Sequence, residues 1–257
     1  MSLSFKSVKH RRSAFDHLTF DRVNRAVLDL LYPRNCIGCG VSAPETFRYI
    51  CWDCWSDVNK VEPPFCSLCG DPVAGAVDHD FICYTCSATR PHFDGARSAV
   101  RYDGVAGEAL RQLKYEKALW LVPDLARLMY NCLMGEYPDQ EYDLIVPVPL
   151  FHVRRREREF NQSAVLAAGL SRLLGCKSVP RTLRRIRPTA TQTNLTASQR
   201  LSNVNNAFQS RREKRLAGKR VLLVDDVMTT GATVNACAKA LKQGGATSVY
   251  VLTAARG

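Results

Sequence analysis

The sequence predicts an α/β fold, with a mostly parallel β-sheet and helices on both of its faces, preceded by a small cysteine-rich module. Three observations support this prediction. After Pro91, strand-like and helix-like segments alternate along the chain. The apolar run 221–224 (VLLV) has the composition of a strand that is covered on both faces. Before Pro91, eight cysteines fall into four Cys-x-x-Cys pairs within one short stretch.

The α/β region is expected to span residues 91–257, and its elements follow from apolar periodicity. Strand signals lie at 93–102, 142–150, 178–188, 219–227 and 248–255. Helical periodicity is found at 104–118, 121–135, 161–175 and 233–245. The third of these helices should stop at Gly175. Because sheets of this kind bind ligands at the carboxyl ends of their strands, functional residues are expected there.

The first part of the chain, residues 1–34, is expected to form an N-terminal tail with a short helix. Its start is basic but lacks the continuous apolar core of a signal peptide. Residues 21–33 (DRVNRAVLDLLYP) have the pattern of an amphipathic helix that Pro33 stops. This helix would pack on the rest of the protein or, alternatively, serve as a transit peptide or membrane-surface anchor. No apolar run approaches the ~18 to 20 residues of a membrane span, so no transmembrane segment and a cytoplasmic location are expected.

The charge of the chain favours anionic partners. Its 36 Lys and Arg residues against 24 Asp and Glu give a formal charge of +12. Such an excess suits phosphorylated metabolites, nucleic acid or an acidic membrane face, and it does not choose among them. Hydrophobic residues make up 46% of the 257 residues, as in an ordinary folded protein with a core.

The four Cys-x-x-Cys pairs predict a double zinc-binding module, similar to a zinc ribbon, over residues 35–90. A Cys-x-x-Cys turn directs two sulfurs at one point, and two such turns complete a tetrahedral zinc site. Two closed sites would leave no coordination position open for catalysis, so both zinc ions are expected to be structural. The expected ligands are Cys36, Cys39, Cys51, Cys54, Cys66, Cys69, Cys83 and Cys86.

Three questions about this module stay open in the sequence. Sequential use of the pairs is the simplest arrangement, but the spacing also permits an interleaved one. A disulfide framework is the alternative to zinc, although no secretory signal supports it. Trp52 and Trp55 interleave with the second pair, where they would either fill the core of a small module or stack on nucleobases.

Two aspartates directly after the apolar run form the candidate ligand site. Asp225 and Asp226 are expected to emerge at the end of a buried strand, where carboxylates can accept hydrogen bonds from sugar hydroxyls. Helix capping alone would explain one of the threonines that follow, but not two adjacent acids. The next loop offers hydroxyls and closely spaced N–H groups at a helix N-terminus, which suit a phosphate: Thr229, Thr230, Gly231, Ala232 and Thr233. Together these features predict a site for ribose 5-phosphate.

Three stretches give the chain a specific resemblance to a known family. Residues 221–233 (VLLVDDVMTTGAT) resemble the 5-phosphoribosyl-1-pyrophosphate (PRPP) motif of type I phosphoribosyltransferases. Residues 143–163 (DLIVPVPLFHVRRREREFNQS) and 185–208 (RIRPTATQTNLTASQRLSNVNNAF) narrow the resemblance to the ComF/GntX competence family. An N-terminal module of cysteine pairs also belongs to that family. The resemblance extends from about residue 30 to the end of the chain.

The resemblance implies a type I phosphoribosyltransferase-like fold that binds PRPP or a related phosphorylated ribose. In such enzymes the loop after the first core strand binds pyrophosphate, and this loop is matched here by Pro149, Leu150 and Arg158. A second loop, before the acidic motif, closes over the substrate and is matched by Thr189, Gln192 and Arg200. Asp225 and Asp226 would be the catalytic acids and act mainly on the sugar, while Mg²⁺ joins pyrophosphate oxygens to ribose hydroxyls.

The resemblance also connects the chain to natural transformation. The expected function is PRPP binding in support of DNA uptake, with transfer of the phosphoribosyl group to an unknown acceptor if the protein is an active enzyme. The alternative is a non-catalytic module that senses PRPP or a nucleotide and binds single-stranded DNA or another DNA-uptake protein. Arginine-rich runs such as 154–159 (RRRERE) fit both interpretations, because pyrophosphate and nucleic acid are both anionic.

One position departs from the family pattern. Where the family has R-G-F-N-Q, this chain has Arg158-Glu159-Phe160-Asn161-Gln162. If the glycine serves a positive φ angle, glutamate at this position costs about 1 kcal/mol of backbone strain. A carboxylate close to pyrophosphate would also repel it. We therefore expect weaker ligand affinity or weaker catalysis than the family pattern would give.

Overall fold

The computed structural model of the protein describes residues 35–42, 49–75, 77, 79–151, 159–187, 206–211 and 213–257. The predicted N-terminal helix lies outside these residues, as do Arg158, Thr189, Gln192 and Arg200 of the predicted ligand site. Of the helices within the described ranges, none has both the length and the apolar character that crossing a membrane requires.

Seven strands are present in the described part of the chain. They are β1 (Gly95–Arg101), β2 (Leu144–Pro147), β3 (Lys177–Ser178), β4 (Leu183–Arg185), β5 (Phe208–Ser210), β6 (Arg220–Met228) and β7 (Ser248–Arg256). Five of them form one parallel sheet in the order β1-β7-β6-β2-β3, so that β6 is the central strand. The other two, β4 and β5, form an antiparallel ribbon.

The helices of the described residues are α1 (Trp52–Ser56), α2 (Tyr84–Ala88), α3 (Gly104–Tyr115), α4 (Val122–Glu136), α5 (Gln162–Leu174), α6 (Glu213–Leu216) and α7 (Ala232–Gln243). A 3₁₀ turn at Leu119–Leu121 leads into α4. The predicted stop at Gly175 is confirmed, because this residue follows α5 with a left-handed φ of 65°.

Alternate residues of β6 contribute to two apolar cores on opposite faces of the sheet. Val221 and Leu223 belong to the core that α7 covers, and Leu222 and Val224 belong to the core that α3, α4 and α5 cover. All four side chains are completely buried. The predicted fold, a mostly parallel sheet with helices on both faces, is therefore confirmed.

The strand predicted over 178–188 is divided into two pieces. Its first residue, Ser178, belongs to β3 at the edge of the large sheet, and Leu183–Arg185 form β4 in the ribbon. Between them, the backbone N–H of Thr182 donates to the carbonyl of Val179 at 3.2 Å and closes a turn. Pro180 occupies the second position of this turn, which its fixed φ favours, and it also breaks the strand.

The cysteine module covers the free edge of β1 with backbone hydrogen bonds. Ala96 donates to Leu68 O at 2.8 Å, and Arg101 donates to Asn59 O at 2.7 Å. Val61 in turn donates to the carbonyl of Ala99 on the same strand. Unpaired strand edges favour unwanted association, so this contact protects the sheet and fixes the module beside it.

Candidate functional site

The eight predicted cysteine ligands form two separate clusters. One contains Cys36, Cys39, Cys51 and Cys54, and the other contains Cys66, Cys69, Cys83 and Cys86; within each cluster all sulfurs lie within 4.8 Å of one another. The clusters use the pairs in sequential order, which settles the question that the spacing left open. Four sulfur donors gathered around one point are the set that a structural zinc ion prefers, so the residues fit the predicted metal.

The backbone around each cluster has the shape that a metal-binding turn requires. Cys36 Sγ accepts a hydrogen bond from the N–H of Cys51 at 3.2 Å, and Cys66 Sγ accepts one from Cys83 at 3.4 Å. Gly70, after the third pair, has a φ of +64°. A Cβ at Gly70 would lie 2.6 Å from the carbonyl oxygen of Ala96 in β1, so glycine also permits this close approach.

The second cluster is built into the α/β domain. Its residues Cys66, Cys69 and Cys86 are buried in the same core as α7. Arg256, at the end of β7, donates to the carbonyl of Cys69 at 3.0 Å and pairs with Asp71 at 2.6 Å. This guanidinium therefore links the metal-binding turn directly to the carboxyl end of the sheet.

The predicted acid pair lies inside the central strand and is buried. Asp225 is 8% exposed and Asp226 is 6% exposed, because β6 continues past both residues instead of ending before them. Asp225 Oδ1 accepts a hydrogen bond from Ser163 Oγ at 2.7 Å and another from the N–H of Asp226 at 3.0 Å. Asp226 Oδ2 lies 2.9 Å from Lys114 Nζ, and its Oδ1 accepts from the N–H of Val227 at 2.8 Å.

Burial controls the protonation of this pair. Burial raises the pKa of Asp225 above its ordinary value, and the neighbouring Asp226 carboxylate raises it further. Burial also disfavours the charged form of Lys114, but the charge and hydrogen bond of Asp226, together with the charges of Tyr102 and Asp225, outweigh burial and raise the pKa of this lysine. Lys114 therefore stays protonated at neutral pH, whereas Asp225, with its pKa raised to about 7, takes up a proton in this range.

The predicted phosphate loop follows the acid pair and begins α7. Gly231 precedes the first helical residue with a φ of +74°, a left-handed conformation that glycine adopts without strain. The N–H groups of the first helical turn have no carbonyl partners within the helix and can bind an anion. Asp225 lines the same small cleft as the five loop residues, namely Thr229, Thr230, Gly231, Ala232 and Thr233. The structure thus brings the acid and the loop together.

Of the remaining predicted site residues, Pro149 and Leu150 lie in the described part of the chain, on the β2 side of β6. Pro149 and Leu150 follow β2 and line a groove together with Glu159, Phe160 and Asn161. The backbone at Glu159 has a φ of +65°, so the position where the family has glycine does have a positive φ in this chain.

Three functional candidates were missed in the sequence, because their importance comes from contacts between distant segments. Lys114 and Ser163 each contact one of the two acids. Asn161 caps α5 by accepting from the N–H of Ser163 at 3.1 Å, and its side-chain amide donates to Val148 O at 2.9 Å. The F-N-Q-S string offered a signal for Asn161 and Ser163, since an Asn before a helical pattern indicates an N-cap. No local pattern distinguishes Lys114 from a surface lysine.

Comparisons with known proteins agree with this architecture. A double zinc ribbon domain matches residues 27–87, and a phosphoribosyl transferase domain matches residues 161–257. Competence protein F of Haemophilus influenzae is 30% identical over 225 residues, which cover 86% of this chain and 96% of the relative. DNA utilization protein YhgH of Salmonella typhimurium is 34% identical over 226 residues, with the same two coverages. Competence protein ComFC of Bacillus subtilis is 27% identical and covers 80% of this chain and 84% of its own length.

The similarity extends over most of each relative rather than over one motif. A five-stranded parallel sheet of this kind is typical of type I phosphoribosyltransferases, and the two cysteine clusters precede it in the chain. Because both parts occur together and in this order, the resemblance noted from the sequence is confirmed: the chain belongs to the ComF/YhgH competence family.

Proposed function

We propose that this chain binds PRPP, or a closely related phosphorylated ribose, at the carboxyl end of β6 and does so in support of DNA uptake. The observation that supports this proposal is that Asp225 of the buried acid pair lines the same small cleft as the loop in which Gly231 precedes α7. Carboxylates suit the ribose hydroxyls, and a helix N-terminus suits the 5-phosphate. The relatives named for competence and DNA utilization supply the biological process.

The pyrophosphate of PRPP would occupy the neighbouring end of β2. β2 pairs directly with β6, so that Pro149 and Leu150 follow the strand beside the acid pair. Asn161 fixes this region to the start of α5 through its bond to Val148 O. Arg158, which lies outside the described residues, is proposed to neutralise part of the pyrophosphate charge.

Mg²⁺ is proposed to enter with the pyrophosphate. Among the described residues, the groups of three or more His, Cys, Asp and Glu side chains that could hold a metal ion are the two cysteine clusters. Asp226 is already paired with Lys114. We therefore expect Mg²⁺ to take its oxygen ligands from pyrophosphate and from ribose hydroxyls, which leaves the acid pair for the sugar.

Phosphoribosyl transfer is the reaction that such binding would serve. The bond between C1 of the ribose and pyrophosphate would break, and an acceptor atom would bond to C1 as pyrophosphate leaves. The acid pair would hold the sugar by its hydroxyls during this exchange. Positioning of this kind lowers the barrier because the reacting groups are already oriented.

Calorimetry with PRPP and Mg²⁺ tests the proposal. Titration into the wild-type protein should show binding, and titration into the Asp225→Asn/Asp226→Asn variant should show none, because amides keep the size of the side chains but not their charge. The Lys242→Met variant is a matched control, because Lys242 pairs with Asp94 at the far end of α7. Absence of binding to the wild-type protein would overturn the proposal.

A groove lined by arginines favours a second function, the binding of single-stranded DNA. The groove adjoins the end of β2 and the β4–β5 ribbon, and its arginines are Arg181, Arg184, Arg185 and Arg211. Trp52 and Tyr84, next to the two cysteine clusters, are 60% and 87% exposed. Arginines suit the phosphate backbone, and exposed aromatic rings suit stacking on bases.

Fluorescence anisotropy with a labelled oligonucleotide separates the two functions. DNA binding through this groove should weaken steeply with salt, because each phosphate contact releases a counterion. The triple variant Arg181→Gln/Arg184→Gln/Arg211→Gln should lose binding, whereas the Asp225→Asn/Asp226→Asn variant should keep it. Binding that is insensitive to salt would count against the DNA-binding function.

A further inference from the structure

The last turn of α3 places a lysine against the acid pair of β6. Lys114 Nζ lies 2.9 Å from Asp226 Oδ2, and the two side chains are only 14% and 8% exposed. Lysine is seldom buried to this extent unless it is paired. Two preceding residues of α3, Leu110 and Leu113, are fully buried in the apolar core, so apolar contacts also hold this part of the helix in place.

The two acids differ in the charge of their partners. Asp225 accepts a hydrogen bond from a neutral hydroxyl, Ser163 Oγ, at 2.7 Å. Asp226 is paired with the ammonium group of Lys114. Two adjacent buried carboxylates repel each other, and each is poorly solvated, so that one of them would otherwise take up a proton. Lys114 reduces the net charge of the pair from two negative charges to one.

The groups that face this pair come from several elements. Lys114 Nζ also lies 5.4 Å from the ring centroid of Tyr102, the residue after β1. Cys237 of α7 is fully buried; burial raises the pKa of its thiol, and the charge of Asp225 raises it further. Among these neighbours Lys114 provides the positive charge, and its effect is to lower the pKa of Asp225 against the larger effect of burial.

We propose that Lys114 is a positioning residue for the sugar-phosphate site: its ammonium group directs the Asp226 carboxylate and offsets the negative charge of the acid pair, so that both acids can accept hydrogen bonds from ribose hydroxyls. The ligand part of this proposal rests on the proposed function, whereas the effect of Lys114 on the acid pair does not. A protonated carboxyl group donates a hydrogen bond instead of accepting one, so the protonation state of the pair decides how a sugar is bound.

Replacement of Lys114 should therefore change both the titration of the acids and the affinity for a sugar phosphate. In Lys114→Met the acid pair should lose its last proton at a higher pH than in the wild type, because the positive charge beside it is gone. Affinity for ribose 5-phosphate at pH 7 should fall about tenfold or more and recover as the pH is raised. Lys114→Arg keeps a positive charge in a different shape, so it should restore the wild-type titration and part of the affinity.

Two measurements on the full chain test the proposal. The first is ¹³C NMR titration of the aspartate carboxyl groups without ligand, from about pH 5 to about pH 9, with resonances assigned by Asp225→Asn and Asp226→Asn. The second is calorimetry with ribose 5-phosphate over the same pH range. Lys242→Met is the control, because it removes a lysine–aspartate pair (2.8 Å between Lys242 Nζ and Asp94 Oδ2) away from the acids and should change neither measurement.

The outcomes separate this proposal from the proposed function. An upward shift of the acid-pair titration in Lys114→Met, reversed in Lys114→Arg, supports the proposal. Titration curves that coincide in Lys114→Met and wild-type protein would overturn it, whatever the ligand does. If the titration shifts but the wild-type protein binds no ribose 5-phosphate, the proposed function fails and the effect of Lys114 on the acids stands. A merely structural role would lower the melting temperature without moving the titration.

Discussion

Glu159 and Lys117 form an ion pair in which both residues have positive φ angles. Lys117 Nζ lies 2.6 Å from Glu159 Oε1, and the φ angles are 56° and 65°. Lys117 follows α3 by two residues, so this helix and the residues after it contact both sides of the candidate site: Lys114 contacts the acid pair, and Lys117 contacts the side where pyrophosphate is proposed to bind. Lys117 and Glu159 are both substantially exposed, and exposed ion pairs contribute little to stability.

Replacement of Glu159 by glycine should stabilise the protein. Glycine adopts a positive φ without strain, so Glu159→Gly should raise the free energy of unfolding by up to about 1 kcal/mol. The same change removes a carboxylate from the pyrophosphate side, so PRPP affinity should also rise. Urea unfolding and calorimetry measure these effects.

The control for this prediction is Glu159→Ala, which removes the ion pair and the charge but keeps a Cβ at the same φ. It should gain PRPP affinity without gaining stability. If Glu159→Gly were no more stable than Glu159→Ala, the positive φ at residue 159 would not cost backbone strain, and the prediction would be wrong.

Loss of the Ser163 hydroxyl should weaken ligand binding through Asp225. Ser163 Oγ is completely buried and donates to Asp225 Oδ1 at 2.7 Å, so Ser163→Ala leaves a buried carboxylate with one donor fewer. The cost is about 1 to 3 kcal/mol when the carboxylate is charged. PRPP affinity at pH 7 should fall, and its pH dependence should move to higher pH, because this hydrogen bond favours the charged form.

Ser163→Thr provides the comparison, since it keeps the hydroxyl. Calorimetry at several pH values should place it closer to the wild type than Ser163→Ala. Equal pH dependence in Ser163→Ala and wild-type protein would show that this hydrogen bond does not control Asp225.

Neutralising Asp225 should stabilise the fold at neutral and higher pH. The pKa of Asp225 is raised in the folded protein, above the ordinary value of about 4 that it regains on unfolding. Between these two values the folded state binds more protons than the unfolded state, so stability falls as the pH rises through this window. The loss amounts to about 1.4 kcal/mol for each pKa unit of the shift.

Asp225→Asn removes this loss. Its advantage over the wild type should be absent below about pH 4 and should grow with pH until Asp225 is fully ionised. Thermal unfolding at a series of pH values measures the difference. A variant that is equally destabilised at every pH would contradict a raised pKa at this position.

The sequence predicted the elements of the site more completely than their surroundings. The apolar run 221–224 and the acids after it were predictable because a buried strand and a helix N-terminus have local patterns. The burial of Asp225 and Asp226 was not, because it depends on β7, which stays paired with β6 as far as Met228. Lys114 was missed for the same reason: its partner lies 112 positions away in the chain.

In the cysteine module, too, some features could be predicted from the sequence and others could not. The ligands were predictable from the Cys-x-x-Cys pairs, whereas their assignment to two sequential clusters needed the structure. The depth to which the second cluster enters the α/β core was not predictable either, since it depends on contacts with Arg97 and Arg256 of distant strands. Local spacing specifies a metal site, but not the surface on which that site packs.

The two clusters should differ in their effect on the phosphate loop. Cys39 of the first cluster is exposed, whereas Cys69 of the second is buried in the core that α7 shares. Arg256 binds the carbonyl of Cys69, and the next residue, Gly257, donates to Met228 O at 3.0 Å. Loss of the second zinc ion should therefore loosen the loop that begins after Met228. It should also lower the free energy of unfolding by on the order of several kcal/mol.

Cys39→Ser and Cys69→Ser provide a matched pair for this prediction. Metal analysis should find about two zinc ions per wild-type chain and about one in each variant. Hydrogen exchange should then show faster exchange at residues 228–232 in Cys69→Ser but not in Cys39→Ser. Equal exchange in the two variants would mean that the contact through Arg256 does not transmit the loss of metal. Faster exchange only in Cys69→Ser would show that the second zinc site supports the phosphate loop, because the two variants lose the same kind of ligand and differ in where its cluster packs.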